Sequence, residues 1–266
     1  MFPRGHSFVP SFFYGKSGIM FRMKIKTNLH FHTADDPGDP IDYSTKEGID
    51  KAVSLGFGAL AITCHQKFAW TEEYAEYAKS KGLIFIPGIE IYIGETRDDS
   101  KRHVLILNAT RGAERVRTFG ELALYKKENP EAFIMAAHPY FYGNICLKAF
   151  LEKYINLFDA IEQSWFYSRL FDRNIKGKAM AEKYKLPFVS TSDAHFFDFL
   201  DTNYCTVDAE RATTEAIFAA IRAGKFANTT SRRDFWKDMV WTQGKFFART
   251  FLWRKRGCPR NAKASV

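Results

Sequence analysis

The stretch "MKIKTNLHFHT", residues 23–33, passes from a short β-like run into two histidines one residue apart. In extended backbone the side chains at i and i+2 share a face, so His30 and His32 lie side by side where the first strand ends. A lone His-x-His fits two neighbouring core histidines as well as it fits half of a metal site. The remaining histidines decide between these readings.

From Met23 onward, short apolar runs alternate with amphipathic helical stretches. The strand candidates are residues 23–29, 59–63, 83–91, 103–108, 133–137, 157–163, 187–193 and 204–208, rich in Ile, Val, Leu and Phe as strands buried on both faces are. Helix-like stretches fall around 45–55, 72–81, 114–127, 146–155, 168–185 and 213–223; Thr45 with Gly48, and Thr71 before Glu72 and Glu73, read as helix starts. Seven or eight such units predict an α/β fold, either a parallel barrel or a doubly wound sheet. There is no GxGxxG after the first strand and no GxxxxGK[ST] anywhere, which favours the barrel.

The other histidines then take their places. His65 follows the second strand, Glu90 ends "FIPGIE", His103 opens "HVLIL", His138 ends "IMAAHP", and Asp193 with His195 ends "VSTSDAH". In a β/α barrel the C-terminal strand ends converge on one rim, where active sites of that architecture are built. His103, at the start of its strand, is the exception. Any one of these residues is easily structural; six histidines and two carboxylates at strand ends are a joint pattern that chance explains poorly. Mixed imidazole and carboxylate suit Zn, Mn or Fe, and a carboxylate such as Glu90 can bridge two ions. Ions so placed can hold a hydroxide nucleophile and neutralise phosphoryl oxygens.

Composition sets bounds on this reading. The chain has 266 residues, 46% of them hydrophobic, enough for one sizeable core. Cys64, Cys146, Cys205 and Cys258 are widely spaced with no CxxC pair, which argues against a disulfide framework and for a reducing, cytoplasmic setting. No apolar run approaches a membrane span. The net charge of +9 is uneven: residues 232–266 hold ten Lys/Arg and two Asp, residues 1–22 add three basic residues and no acid, and residues 23–231 sum to −2. The expected organisation is an ill-ordered or mis-started extension over 1–22 (with Met23 or Met20 as the true start), a barrel over 23–231, and a basic aromatic tail over 232–266.

"LHFHT", "AITCH", "PGIE", "HVLI", "AHP" and "SDAH", in that order, resemble the PHP (polymerase and histidinol phosphatase) family, from about Met23 to about Phe226, and most of all its stand-alone metal-dependent phosphoesterases. The resemblance implies a distorted seven-stranded (β/α)7 barrel and two or three divalent metal ions (Mn, Zn or Fe). It implies that His30, His32, Glu90 and Asp193 hold one ion, that Glu90 bridges to a second held by His103 and His138, and that His65 and His195 hold a third with a ligand from the loop "ADDPGDPIDYS". Asp35, Asp36, Asp39 and Asp42 compete there, and the ungapped fit of Gly56–His65 to the family favours Asp39. Asp193 and His195 are the candidate catalytic proton carriers. Two departures stand out: Cys64 and Gln66 flank His65 where the family usually has Asp. Cys64 is either a soft extra ligand or a small buried residue.

Arg169 and Arg173, with Lys67, are candidate phosphate clamps near the rim, each also readable as an ordinary solvated charge. Tyr140, Tyr142, Trp165, Phe166 and Tyr167 make two rim loops aromatic, fit either to stack a base or to cap the core. In the tail, seven Phe and Trp side chains between 235 and 253 interleave with Lys and Arg. That pattern reads as a helix packed on the barrel, as a base-stacking arm on nucleic acid, or as a segment on an anionic membrane surface. The expected function is hydrolysis of a phosphate ester, with a phosphorylated small molecule or nucleotide as substrate and a metal-bound hydroxide as nucleophile. The alternatives are a single-strand exonuclease and a metal-binding scaffold without turnover.

Overall fold

The computed structural model describes residues 22–141 and 143–255. The expected extension apart from Arg22, together with His6, Tyr142, Cys258 and residues 256–266, lies outside the described residues.

Among the described residues nine strands form one sheet: β1 (Met23–Asn28), β2 (Ala59–Ile62), β3 (Ile84–Ile93), β4 (Arg102–Leu107), β5 (Phe133–Ala136), β6 (Ala160–Gln163), β7 (Phe188–Ser190), β8 (Asn203–Ala209) and β9 (Phe226–Thr230). Their order is β7-β6-β5-β4-β3-β2-β1-β8-β9, and the sheet curls into a nearly closed barrel. All eight strand candidates are found. The ninth, and hence a count of nine where the resemblance implies seven, is a correction: β9 is "FANTT", whose exposed, polar residues carry no core-strand pattern.

The sheet is also not wholly parallel. β4 runs antiparallel to β3 and β5, and β8 antiparallel to β1 and β9. The β3–β4 link, residues 94–101, is too short for the crossover that a parallel pair needs. Gly94 sits where a Cβ would lie 2.5 Å from the Asp99 carbonyl oxygen, so only glycine lets that link turn back so tightly. Because β4 is reversed, its first residues stand at the same rim as the last residues of β3, and Tyr92 pairs with His103.

Side chains complete the barrel where the strands stop. At the β7–β9 seam the Asn228 amide substitutes for backbone: its Oδ1 accepts from Ser190 N at 2.9 Å and its Nδ2 donates to Phe188 O at 2.7 Å. Inside, buried Asn28 donates to Ser192 Oγ at 2.7 Å and accepts from the His30 and Ser192 amides, both at 3.3 Å, tying the exit of β1 to the exit of β7.

Helices cover the outside of the sheet. α1 (Thr45–Ser54) begins at Thr45 as expected, and its cap is Ser44, in a reciprocal box with Glu47. Its Gly48 lies against the Phe31 ring, where a Cβ would come within 2.6 Å, so α1 approaches the His-x-His segment closely. α2 (Glu72–Ser80) is capped by Thr71. α3 (Phe119–Glu128), α4 (Ala149–Lys153), α5 (Asn174–Tyr184), the short α6 (Phe197–Leu200) and α7 (Thr214–Arg222) follow. Residues 235–242 form a π-helix that runs into α8 (Gln243–Lys255).

Candidate metal centre

Alternation around His30 and His32 is the local cause of the site. Phe31 points outward and stacks on Tyr43 with ring centroids 5.5 Å apart, so both histidines must point in, where each is fully buried. The extended segment runs beside the exit of β7, through a bridge between Phe31 and Ala194. A second bridge joins His65 to Glu90. The nine sequence-derived candidates His30, His32, Asp39, His65, Glu90, His103, His138, Asp193 and His195 thus meet at one rim.

Glu90 stands at the centre, fully buried. Its Oε1 lies 2.7 Å from His103 Nδ1 and 3.2 Å from His138 Nε2. Its Oε2 lies 3.0 Å from His65 Nε2, 3.2 Å from His30 Nε2 and 3.4 Å from His32 Nε2. The two oxygens therefore face two different sets of imidazoles. Asp193 Oδ1 is 3.2 Å from the Nε2 of both His30 and His32 and 3.6 Å from His195 Nδ1. Asp39 Oδ2 is 3.1 Å from His195 Nε2 and 3.6 Å from His65 Nδ1.

A second layer lies behind the rings. Asp36 Oδ2 takes His32 Nδ1 at 2.7 Å, His65 Nδ1 at 3.0 Å and the His65 amide at 2.9 Å. Glu162 Oε1 takes His30 Nδ1 at 2.7 Å, is bonded by Thr191 Oγ1, and through its other oxygen accepts from the His138 amide. Each of these three rings is anchored through Nδ1 to a carboxylate and turns Nε2 inward, the arrangement that fixes the tautomer and aim of metal-ligating histidines. Glu162 was not among the residues singled out from sequence. Asp36 was one of four competitors; Asp35 faces outward to Thr45 and Lys67, and Asp42 pairs with Arg249.

Two site residues are held at positive φ, His138 at 25° and Asp193 at 44°, a backbone cost of order 1 kcal/mol or more each that the surrounding bonds sustain. The electrostatics call for cations. Burial alone would lower the His30 pKa, but Asp193, Glu162 and Glu90 raise it to about 10. Against the same burial penalty, His65 and His138 are also raised, and Glu90 and Asp193 are held well below the usual carboxylate range by the histidines around them. Buried carboxylates here draw positive charge onto these imidazoles, whereas at His103 burial outweighs Glu90 and lowers the pKa.

The residues fit a metal centre on one further observation: His32 Nε2 is buried and makes no hydrogen bond, although it points into the carboxylate cluster. An orphaned nitrogen of that kind is costly unless something else takes its lone pair. Among the described residues, three groups bring ligand atoms within 4.8 Å of one another: His32, His65 and His195; His30, His32 and Asp193; His65, Glu90 and His103.

Other candidates stand apart from this cluster. Cys64, one residue before inward His65, faces the opposite way, fully buried, 3.7 Å from Thr33 Oγ1, and burial pushes its thiol pKa up. Lys67 pairs with Asp35. Arg169 is exposed on its loop, and exposed Arg173 lies 4.7 Å over the Phe171 ring, sharing a small cavity with His138 and Glu162. Trp165, Phe166 and Tyr167 are buried, so they cap the core and leave no free face for a base.

Fold and site together define a β/α barrel with a histidine–carboxylate cluster at its rim that fits metal ions. The family model of the PHP domain matches residues 28–187, and that of the PHP-associated region matches residues 172–226. The chain belongs to the PHP domain family. No curated protein matches it. Among solved structures it is similar to a two-domain Bacteroides vulgatus protein containing a predicted PHP-like metal-dependent phosphoesterase (TM-score 0.58, 16% identity, 79% of this chain and 65% of that one). It is also similar to the lesion-specific endonuclease PfuEndoQ of Pyrococcus furiosus (0.56, 16%, 78% and 57%) and to PsfC of Pseudomonas syringae (0.54, 15%, 88% and 98%). The chain thus spans less than two thirds of the first two, and at these identities the likeness is one of fold.

Proposed function

We propose that this protein is a metal-dependent hydrolase of phosphate esters, acting on a phosphomonoester or nucleotide. The observation that carries the reading is Glu90, whose two oxygens face two sets of imidazoles as a bridging carboxylate's would. His30, His32, Glu90 and Asp193 would hold one ion, Glu90, His103 and His138 a second, and His65, His195 and Asp39 a third. Imidazole and carboxylate without thiolate suit Mn, Zn or Fe. When bound, such ions supply Lewis acidity and an activated water.

The chain's own residues supply the rest. Asp36 and Glu162 orient His32, His65 and His30. Asp193 and His195 keep 17% and 16% of their side chains exposed, against 0–1% for His30, His32 and Glu90. That partial exposure supports a role for the two in carrying a proton between the centre and solvent. Arg173, which shares a small cavity with His138, would meet a phosphoryl oxygen from that side, and Arg169 is the weaker candidate. Cys64, Cys146 and Cys205 are buried, in keeping with a reducing cytoplasmic setting.

The endonuclease likeness makes nucleic acid a second substrate class to assay. The test is a panel of phosphomonoesters, nucleotides and oligonucleotides with Mn, Zn or Fe, run with the intact chain and with His138→Ala. Turnover lost in the variant and with chelator supports the proposal; turnover unchanged in the variant contradicts it. Bound metal without turnover on any substrate favours the scaffold reading.

A further inference from the structure

The C-terminal helices have two unlike faces. Toward the barrel, the Phe246 ring lies 5.1 Å from that of His195 and 5.9 Å from that of Phe196, Arg249 pairs with Asp42, and Thr250 is buried. Toward solvent stand Trp236, Trp241, Phe247, Phe251 and Leu252, between 52% and 70% exposed. At about 100° per residue, the outer side of α8 is Phe247, Phe251, Gly244 and Lys255, edged by Ala248, Leu252 and Lys245, which also line a cavity toward Pro40 and Ile41, and α8 contains no carboxylate. Solvent-facing helix surfaces ordinarily show the reverse pattern, and an apolar patch of this kind marks an interaction surface.

Charge and shape select the occupant. Residues 232–255 carry seven Lys/Arg and two Asp, so a second copy would bring like charge against like. Lys245 Nζ lies 4.9 Å over Trp241 and Lys255 Nζ 4.6 Å over Phe251, so cationic groups stand directly beside the exposed rings, the combination that suits an anionic boundary. Nucleic acid phosphates would satisfy the charge, but base stacking uses flat rings and would leave exposed Val240 and Leu252 in water. A bilayer takes up aromatic and aliphatic groups alike.

We propose that this face docks on an anionic lipid bilayer, with the rings and Leu252 entering the headgroup boundary and the lysines on lipid phosphates. Since the inner face of the same helix touches His195, docking holds the histidine rim close to the membrane surface.

The test is sedimentation of the full-length protein with vesicles, a readout that does not depend on turnover. The protein should pellet with vesicles of phosphatidylserine and phosphatidylcholine in equal parts, not with phosphatidylcholine alone, and less so as salt rises. Phe247→Ser and Phe251→Ser should each weaken binding about tenfold, and Lys245→Glu with Lys255→Glu should weaken it as well. All four side chains lie on the outer side of α8 or at its edge, so the barrel's circular dichroism should be unchanged. Failure to pellet with either vesicle, equal pelleting with both, tighter binding of a single-stranded oligonucleotide than of anionic vesicles, or self-association in place of vesicle binding would each overturn the proposal.

Discussion

Glu90 and His103 meet on the diagonal across the antiparallel β3–β4 pair, with Glu90 Oε1 2.7 Å from His103 Nδ1. The reversal of β4 brings a histidine from the start of a strand to a rim otherwise built from strand ends. Glu90→Gln keeps the shape and removes the charge that faces five imidazoles. It should reduce metal content per chain and lower turnover by more than about 100-fold, above the range for groups that only orient ligands. Elemental analysis alongside kinetics checks this; a variant with full metal content would contradict the bridging role.

Asp36→Asn and Glu162→Gln act one layer back. Each should weaken metal affinity by about 10- to 100-fold while leaving the fold intact, because the rings lose their anchors but not their nitrogens. Competition with a chelator of known affinity measures the effect. Equal affinity in wild type and both variants would show that ring orientation is set by packing alone.

The His30 pKa, raised to about 10 from 6.5, makes a signed prediction. Since the folded value lies above the unfolded one, protonated His30 stabilises the metal-free fold fully below pH 6.5, and this is lost as pH rises toward 10. A bound metal replaces that proton and does not suffer the loss. The Tm gap between metal-loaded and chelated protein should therefore widen from pH 6.5 to 10. A gap that narrows over this range would contradict the assignment.

Asn28→Ala removes the bonds that join β1 to β7 and leaves Ser192 Oγ and two buried amides short of partners. The expected cost is about 3 kcal/mol, read from the urea midpoint at constant m-value. Cys64→Ala should leave metal content unchanged, because its thiol faces Thr33 and not the histidines; a lost equivalent of metal would make Cys64 part of the centre.

Much of this site is readable in the chain because barrel topology turns strand ends into neighbours. Once "ITCH", "PGIE", "AAHP" and "SDAH" are read as strand exits, their convergence follows from the architecture. His103 resisted that logic, since the direction of β4 depends on the length of one link. Glu162 was invisible for another reason: in "DAIEQ" it looks like an ordinary strand charge, and its meaning comes from His30, 132 residues away. The choice among Asp35, Asp36, Asp39 and Asp42 rested on how one loop folds over His65, which spacing does not specify. The tail's two faces were likewise hidden, because Phe246 and Phe247 are the same residue type with opposite surroundings.

Metal content per chain, measured by elemental analysis on freshly purified and on reconstituted protein without added chelator, tests the central claim most directly. The account predicts two or three equivalents of Mn, Fe or Zn per chain, falling in Glu90→Gln. No bound metal after reconstitution would mean that the buried histidine rim is a relic of the family's chemistry, and the phosphoesterase reading would fall with it.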